Sequence, residues 1–348
     1  IDVHDGMAIG FYLVKGMNNL VLNCDAHDNY DGYSEGDSGN VDGFGGHANK
    51  ETSTGNIFRG CRAWNNGDDG FDLINCYASY IIEYCWSFRN GYKPHSIESS
   101  GGNGAGFKSG GYGMGDIKKV PNPIPQHTVR YCLAYYNRQQ GFYSNHHLGG
   151  LIFENNTAYK NPSNYNMLNR KSSNEAVDVP GYGHIIKNNL SLSPRNSGGF
   201  PQHLINVDNT LSEIKNNSFA PNDLNLSESD FESLNEQELM GSRKSDGSLP
   251  DINFLRLTNH ANFRFSGMGC FINEEAVDYS WIQEPAIVLE NGVARIVGED
   301  SKSFNKFYVN GEEVSIENGI VDLTSMSGEL NLKAISENGA VTTLIINK

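Results

Sequence analysis

Three short stretches place carboxylates and an amine in one local frame: Asp42-Gly43-Phe44, Asp68-Asp69-Gly70-Phe71-Asp72 and Gly104-Ala105-Gly106-Phe107-Lys108. Gly-Phe recurs in each, so aligning on it sets Asp42 beside Asp69 and Asp72 beside Lys108. If each stretch is one rung of stacked strands, about 4.8 Å apart, four carboxylates and one lysine converge on a single face. Carboxylates that close repel unless a cation sits among them. Hard oxygen donors select Ca²⁺, which accepts about six to eight of them in flexible geometry. The Asp-x-Asp-x-Asp loop of an EF-hand is absent, and no Cys/His cluster favours zinc. Asp-Gly alone is an ordinary turn former; the register of the whole column is what argues for a metal.

The elements that must hold such a column are short, repeated strands. Asn19-Leu20-Val21-Leu22-Asn23-Cys24, Asn56-Ile57-Phe58-Arg59-Gly60-Cys61, Ile81-Ile82-Glu83-Tyr84-Cys85 and Thr128-Val129-Arg130-Tyr131-Cys132 share one frame, with Ala or Ser two positions after Cys. Asn then takes the Cys position, at Asn156, Asn189 and Asn217. The steps are unequal, from 24 residues (Cys61 to Cys85) to 47 (Cys85 to Cys132). A helical or leucine-rich solenoid would keep a stricter period. A parallel β-helix need not, because insertions leave at its turns. Gly-Phe is the second marker, at Gly43, Gly70, Gly106 and Gly141, with Gly10-Phe11 an earlier member. The glycine is expected to supply positive φ and the phenylalanines to stack inward. The Cys and Asn markers form an interior ladder, with amides bonded to one another and Cys acting as a small hydrophobe, so free thiols are expected.

The fold class is therefore all-β: a right-handed parallel β-helix over 1–257, a linker over 258–276 and a small β-sandwich over 277–348. Ser227 to Leu239 reads as a short amphipathic helix or a turn-rich cap. Strands are expected at Ala286–Leu289, Phe307–Val309, Gly319–Leu323 and Leu330–Ala334, with turns at Asn291-Gly292 and Asn310-Gly311. The opening Ile1-Asp2-Val3-His4-Asp5-Gly6 already reads like the inside of a repeat, so further coils are expected before it. The formal charge of −15 opposes binding to nucleic acid or anionic lipid. No apolar run is long enough to insert in a membrane, and a monomer is expected.

The run from Gly60-Cys61-Arg62-Ala63-Trp64-Asn65-Asn66 through Asp72-Leu73, with Asp42-Gly43-Phe44 and Gly106-Phe107-Lys108-Ser109-Gly110-Gly111, resembles polysaccharide lyase family 9. The resemblance runs from about Val14 to Leu257, and Arg243 to Pro250 resembles the family's closing segment. It implies a pectate or rhamnogalacturonan lyase, with Asp42, Asp68, Asp69 and Asp72 binding calcium and Lys108 as the base. The substrate would be an acidic plant cell-wall polysaccharide, the pectin backbone, and the setting secreted, periplasmic or cell-surface. Burial and a nearby dication would favour neutral Lys108, while the aspartates oppose that. Gly45-Gly46-His47 departs from an Ala-Ala-Lys run of pectate-cleaving members. Gly141 to His147 departs from a more Asn-rich run. Both departures favour rhamnogalacturonan I over homogalacturonan. Candidate substrate contacts are His47, Tyr143, Asn145, His146 and His147, with Arg130 and Arg138 as partners for uronate carboxylates. Two other readings stay open: a metal-free hydrolase resembling polygalacturonase, with Asp68 and Asp69 as acid and base, and a non-catalytic carbohydrate-binding β-helix.

Overall fold

In the computed structural model the described residues are 1–33, 39–113, 119–195, 202–271, 286–290, 292–297, 301–316, 319–337 and 339–347. Two compact units are present: Ile1–Arg256 with Met268–Ile272, and Leu257–Gly267 with Asn273–Lys348.

The first unit is the right-handed β-helix. Its wall is three parallel sheets of seven strands each among the described residues. One coil illustrates the path: Phe71–Asp72 in the first sheet, Tyr80–Glu83 in the second, Trp86–Phe88 in the third, then Phe107–Lys108 one rung up in the first. The corner from the second sheet to the third is a single residue of positive φ. It is Asn23, Gly60, Tyr84, Tyr131, Asn155, Asn188 or Asn216 in successive coils, each directly before the Cys or Asn marker. Asn and Gly suit that left-handed conformation, which bulky residues occupy at a cost.

The interior ladder forms as the sequence implies. Cys61 N donates to Cys85 Sγ, Cys132 N to Asn156 Oδ1, and Asn156 and Asn189 each reach the next rung's Oδ1. All six cysteines are free thiols. A second ladder, not anticipated, follows five residues after each of the first five markers, through Asn29, Asn66, Asn90, Asn137 and Asn161. Phe11, Phe44, Phe71, Phe107 and Phe142 stack face to face inside, with ring centroids 4.7 to 5.0 Å apart.

The glycine before each of these phenylalanines has another cause than the one expected. Gly43, Gly70, Gly106 and Gly141 are absent from the positive-φ residues. They are small because the coils touch there. A Cβ on Gly106 would lie 2.7 Å from both Gly141 O and Asn137 Nδ2, and one on Gly43 would lie 2.8 Å from Gly70 O.

Ser227 to Leu239 holds two 3₁₀ turns, Glu228–Asp230 and Glu236–Met240, which is the turn-rich form of the expectation rather than a helix. The expected linker 258–276 contains an α-helix, Asn259–Arg264, while its Met268–Ile272 segment belongs to the β-helix unit. The second unit has a three-stranded and a four-stranded antiparallel sheet sharing one apolar core, with Ile287, Ile296 and Val321 from one and Phe307, Leu330 and Leu332 from the other. Strands cover Ala286–Glu290, Phe304–Val309, Ile320–Asp322 and Glu329–Ser336 as expected; Val293–Val297, Glu312–Val314 and Val341–Asn347 were missed. Asn310-Gly311 turns a hairpin. Asn291 and the stretch from Val277 to Pro285 lie outside the described residues. No helix among the described residues is long and apolar enough to cross a membrane.

Candidate active site

The site lies on the outer face of the first sheet. Phe71 pairs with Phe107 and Asp72 with Lys108; Lys108 then pairs with Tyr143 one rung further on. Strands alternate sides. With every phenylalanine inward, the next residue of each rung points out, giving the outer column Tyr12, Gly45, Asp72, Lys108, Tyr143, Asn166. Asp42, Asp68 and Asp69 sit where the chain enters these strands, and Asp68 and Asp69 come just after the second Asn ladder.

Each aspartate has one oxygen fixed by a backbone N–H. Asp42 Oδ1 accepts from Asp69 N at 3.0 Å, Asp69 Oδ1 from Ala105 N at 2.6 Å, and Asp72 Oδ1 from Ile74 N at 2.8 Å. Asp68 Oδ1 accepts from Asn103 N, on the insertion between Trp86–Phe88 and Phe107–Lys108. Asp42, Asp68 and Asp69 each place one carboxylate oxygen within 4.8 Å of the others. Lys108 Nζ lies 3.0 Å from Asp69 Oδ2 and 3.0 Å from Asp72 Oδ2.

All four aspartates are buried. Burial, then repulsion from its neighbours, pushes Asp42 well above the carboxylate range, and burial with the Asp69 charge takes Asp68 up to about 7. Burial also raises Asp69, although Lys108 opposes it. For Lys108, burial favours the neutral amine, but Asp69, Asp72, Asp42 and Asp68 outweigh it and hold the ammonium well above its ordinary value. One lysine thus faces four carboxylates, and its Nζ is the contact that the buried Asp69 Oδ2 makes, at 3.0 Å. Buried charge lacking a full set of partners is costly. An all-oxygen set with spare lone pairs fits a hard divalent cation such as Ca²⁺.

The other candidates divide. His47 Nδ1 meets Tyr12 Oη at 3.1 Å; its Nε2 is buried without a hydrogen bond, 3.9 Å from Asp72 Oδ2. Tyr143 and His146 bond to each other at 2.9 Å beside Lys108. Asn145 donates to Gly110 O. Arg138 donates to Gly102 O and Asn103 O and so braces the insertion over Asp68. Two candidates are corrected. His147 is fully buried, bonded to Gly111 N and Pro125 O, and has no surface to offer a sugar. Arg130 lies on the second sheet, away from this face, and is ion-paired to Glu83. The sequence reading missed the donors Asn103 and Ala105, as well as Tyr12 and Asp178. Tyr12 was legible, because it follows Gly10-Phe11 and so belongs to the outer column.

The parallel β-helix thus carries a carboxylate–lysine column on the outer face of one sheet. Residues 1–214 match the family model described as Pel9A-like, right handed beta helix region, and residues 208–343 match Rhamnogalacturonan lyase-like, C-terminal. The chain belongs to this Pel9A-like group, polysaccharide lyase family 9. It is 35% identical over 265 residues to Pectate lyase L of Dickeya chrysanthemi, across 76% of this chain and 54% of that one. A solved rhamnogalacturonan lyase is 55% identical with a TM-score of 0.72, over 77% of this chain and 64% of that one. Pectate lyase Pel9A is 31% identical with a TM-score of 0.60, over 78% and 64%. The chain thus spans just over half the length of the curated relative and under two thirds of either solved structure.

Proposed function

We propose that this chain cleaves the galacturonate-containing backbone of pectin by β-elimination, with rhamnogalacturonan I preferred over homogalacturonan. The observation that carries the reading is Lys108 Nζ, 3.0 Å from both Asp69 and Asp72 inside a buried carboxylate cluster on an open sheet. A galacturonate C5 proton is made weakly acidic by the adjoining carboxyl group. Lys108 removes it, the C4–O bond to the next sugar breaks, and a C4–C5 double bond remains. Asp42, Asp68, Asp69 and Asp72 would hold the calcium ion. When bound, it supplies the positive charge that offsets these aspartates, eases Lys108 towards its neutral form and neutralises the uronate. Tyr143 lies on the rung beside the lysine and His47 lies near Asp72, and both would contact sugar hydroxyls. Arg138 acts indirectly, through the insertion it braces.

The preference for rhamnogalacturonan I is supported by the 55% identity to a rhamnogalacturonan lyase, against 31% to Pel9A. Homogalacturonan is the second reading, supported by the pectate lyase relative at 35%. A polymer of the plant cell wall implies a secreted, periplasmic or cell-surface enzyme. The test is to incubate the chain with rhamnogalacturonan I and with polygalacturonate, with Ca²⁺ or with a chelator, and follow ultraviolet absorbance. An unsaturated product that needs Ca²⁺, formed faster on rhamnogalacturonan I, is expected. Reducing ends without absorbance would point to hydrolysis, and binding without either to a lectin-like role.

A further inference from the structure

We propose that Tyr143 is the general acid of the elimination, protonating the departing glycosidic oxygen, and that His146 and Asp178 position its hydroxyl. This rests on the lyase reading above and adds the half-reaction that reading leaves open.

Removing the C5 proton accounts for only one of the two bonds that break. The C5–H electron pair becomes the new double bond, and the C4–O pair leaves with oxygen as a sugar alkoxide unless a proton meets it. In a galacturonate chair the C5–H and C4–O bonds point to opposite faces of the ring. The group that takes the C5 proton cannot be the one that meets the leaving oxygen, so a second group must stand across the ring from Lys108. The rungs beside Lys108 in the outer column carry Asp72 and Tyr143. Asp72 is tied to Lys108 Nζ and Ile74 N. Tyr143, about 4.8 Å along the sheet, carries the one neutral O–H donor on those two rungs.

Its hydroxyl is held rather than loose. Tyr143 Oη lies 2.9 Å from His146 Nε2, and His146 Nδ1 lies 2.7 Å from Asp178 Oδ1. Asp178 is on the strand Glu175–Val179, which pairs with Asn169–Ser172 in a hairpin beside the site sheet. The hairpin is anchored: Arg170 N donates to His147 O, Tyr182 Oη donates to Arg170 O, and Arg170 Nη1 is 3.5 Å from Asp178. A carboxylate only accepts, so it fixes a proton on Nδ1; the bare Nε2 then accepts the phenol O–H in the resting site, and the hydroxyl turns from His146 to the glycosidic oxygen when substrate is bound. This line of groups crosses from an insertion to the column and does nothing that the β-helix core requires.

Acidity is matched to the task. Burial, followed by the Asp178 carboxylate, pushes Tyr143 up to about 12. The phenol keeps its proton at neutral pH, yet comes close to the acidity of the sugar alcohol it must create. The balance closes without a further reagent. Lys108 gains the C5 proton, Tyr143 gives one to the oxygen, and both reset by exchange with solvent, Lys108 losing one proton and Tyr143 regaining one.

The test is to compare Tyr143→Phe with wild type on rhamnogalacturonan I in D₂O. The expected result is a kcat lower by about 10²- to 10³-fold, KM within about threefold, and deuterium at C5 of uncleaved substrate, because Lys108 still works. Lys108→Ala should give neither cleavage nor deuterium. A kcat within about threefold of wild type, or a loss of cleavage without deuterium exchange, overturns the role of Tyr143. Asp178→Ala should lower kcat by about tenfold at unchanged KM; a change in KM alone would overturn its positioning role. Wild type without unsaturated product on either pectin backbone would sink the lyase reading itself, a failure distinct from the others.

Discussion

The two faces of one sheet are built on opposite logic. Phe44, Phe71, Phe107 and Phe142 repeat one solution on the inside, each fully buried and stacked on the next. One residue later on the same strands, the outer column changes at every rung: Gly45, Asp72, Lys108, Tyr143. The inner face is redundant, and its stability is spread over nearest-neighbour contacts. The outer face is single-copy, and each rung has a different chemical task. Inner substitutions should therefore cost stability, outer ones activity, and adjacent residues should separate the two.

Phe107 and Lys108 make the sharpest pair. Lys108→Ala should lower the rate of unsaturated-product formation by about 10³- to 10⁴-fold, with the urea midpoint in Ca²⁺ nearly unchanged. Phe107→Ala should cost about 3–5 kcal/mol of stability, read by urea unfolding, while the folded fraction keeps most of its activity. Equal losses of activity and stability in both variants would break the division.

The corner between the first and second sheets holds a third arrangement, the buried histidines His127, His147 and His184. Each ring accepts a backbone N–H from the coil before it: Tyr80 N, Gly111 N and Leu151 N. Burial holds His147 and His184 down to about 4, against an unfolded value of 6.5, and lowers His127 in the same direction. Between those values the unfolded chain binds more protons than the folded one. Their contribution is thus complete above 6.5 and drains away as pH falls toward about 4. At pH 5 His147 and His184 should each have cost roughly 2 kcal/mol, measured by urea unfolding at pH 7 and 5 in saturating Ca²⁺, which would keep Asp42 and Asp68 ionised. A stability that does not fall between those pH values would show that these rings are not locked neutral.

How much of this was legible follows from what repeats. The Phe and Cys/Asn columns announced themselves because each rung restates them, and the aspartate–lysine column was readable only by sharing the Gly-Phe frame. The role of the marker glycine was misread, since sequence shows that Gly recurs but not whether φ or space demands it; here Gly70 O and Gly141 O on neighbouring coils demand it. The second Asn ladder stood in view at Asn66, Asn90 and Asn137, always five residues past the marker, but Asn in a turn is too common to stand out. Arg130 and His147 were misplaced for one reason. Which side of a coil a residue faces depends on counting from the corner, and the corner residue is itself variable. Asp178 was beyond reach, because it comes to His146 from a hairpin outside the repeat.

The ladder supplies the smallest and most discriminating effect. Asn66, Asn90 and Asn137 are all fully buried and share one set of bonds, to which Asn90 adds a contact with Ser87 Oγ. Each Nδ2 donates to a backbone carbonyl one coil back (Ala26, Ala63, Ser87) and to the next Asn Oδ1 at 3.0 to 3.1 Å, while its own Oδ1 accepts from the Asn before. Truncating one leaves buried partners on both sides unmet, at about 1–3 kcal/mol. If the interior is truly redundant, Asn66→Ala, Asn90→Ala and Asn137→Ala should cost the same within about 0.5 kcal/mol, although only Asn66 directly precedes the turn that carries Asp68 and Asp69. A markedly larger loss at Asn66, accompanied by weaker Ca²⁺ binding in calorimetry, would show that the inner face is graded by distance from the site. The two faces would then be coupled through the Asn66 to Asp69 turn rather than independent.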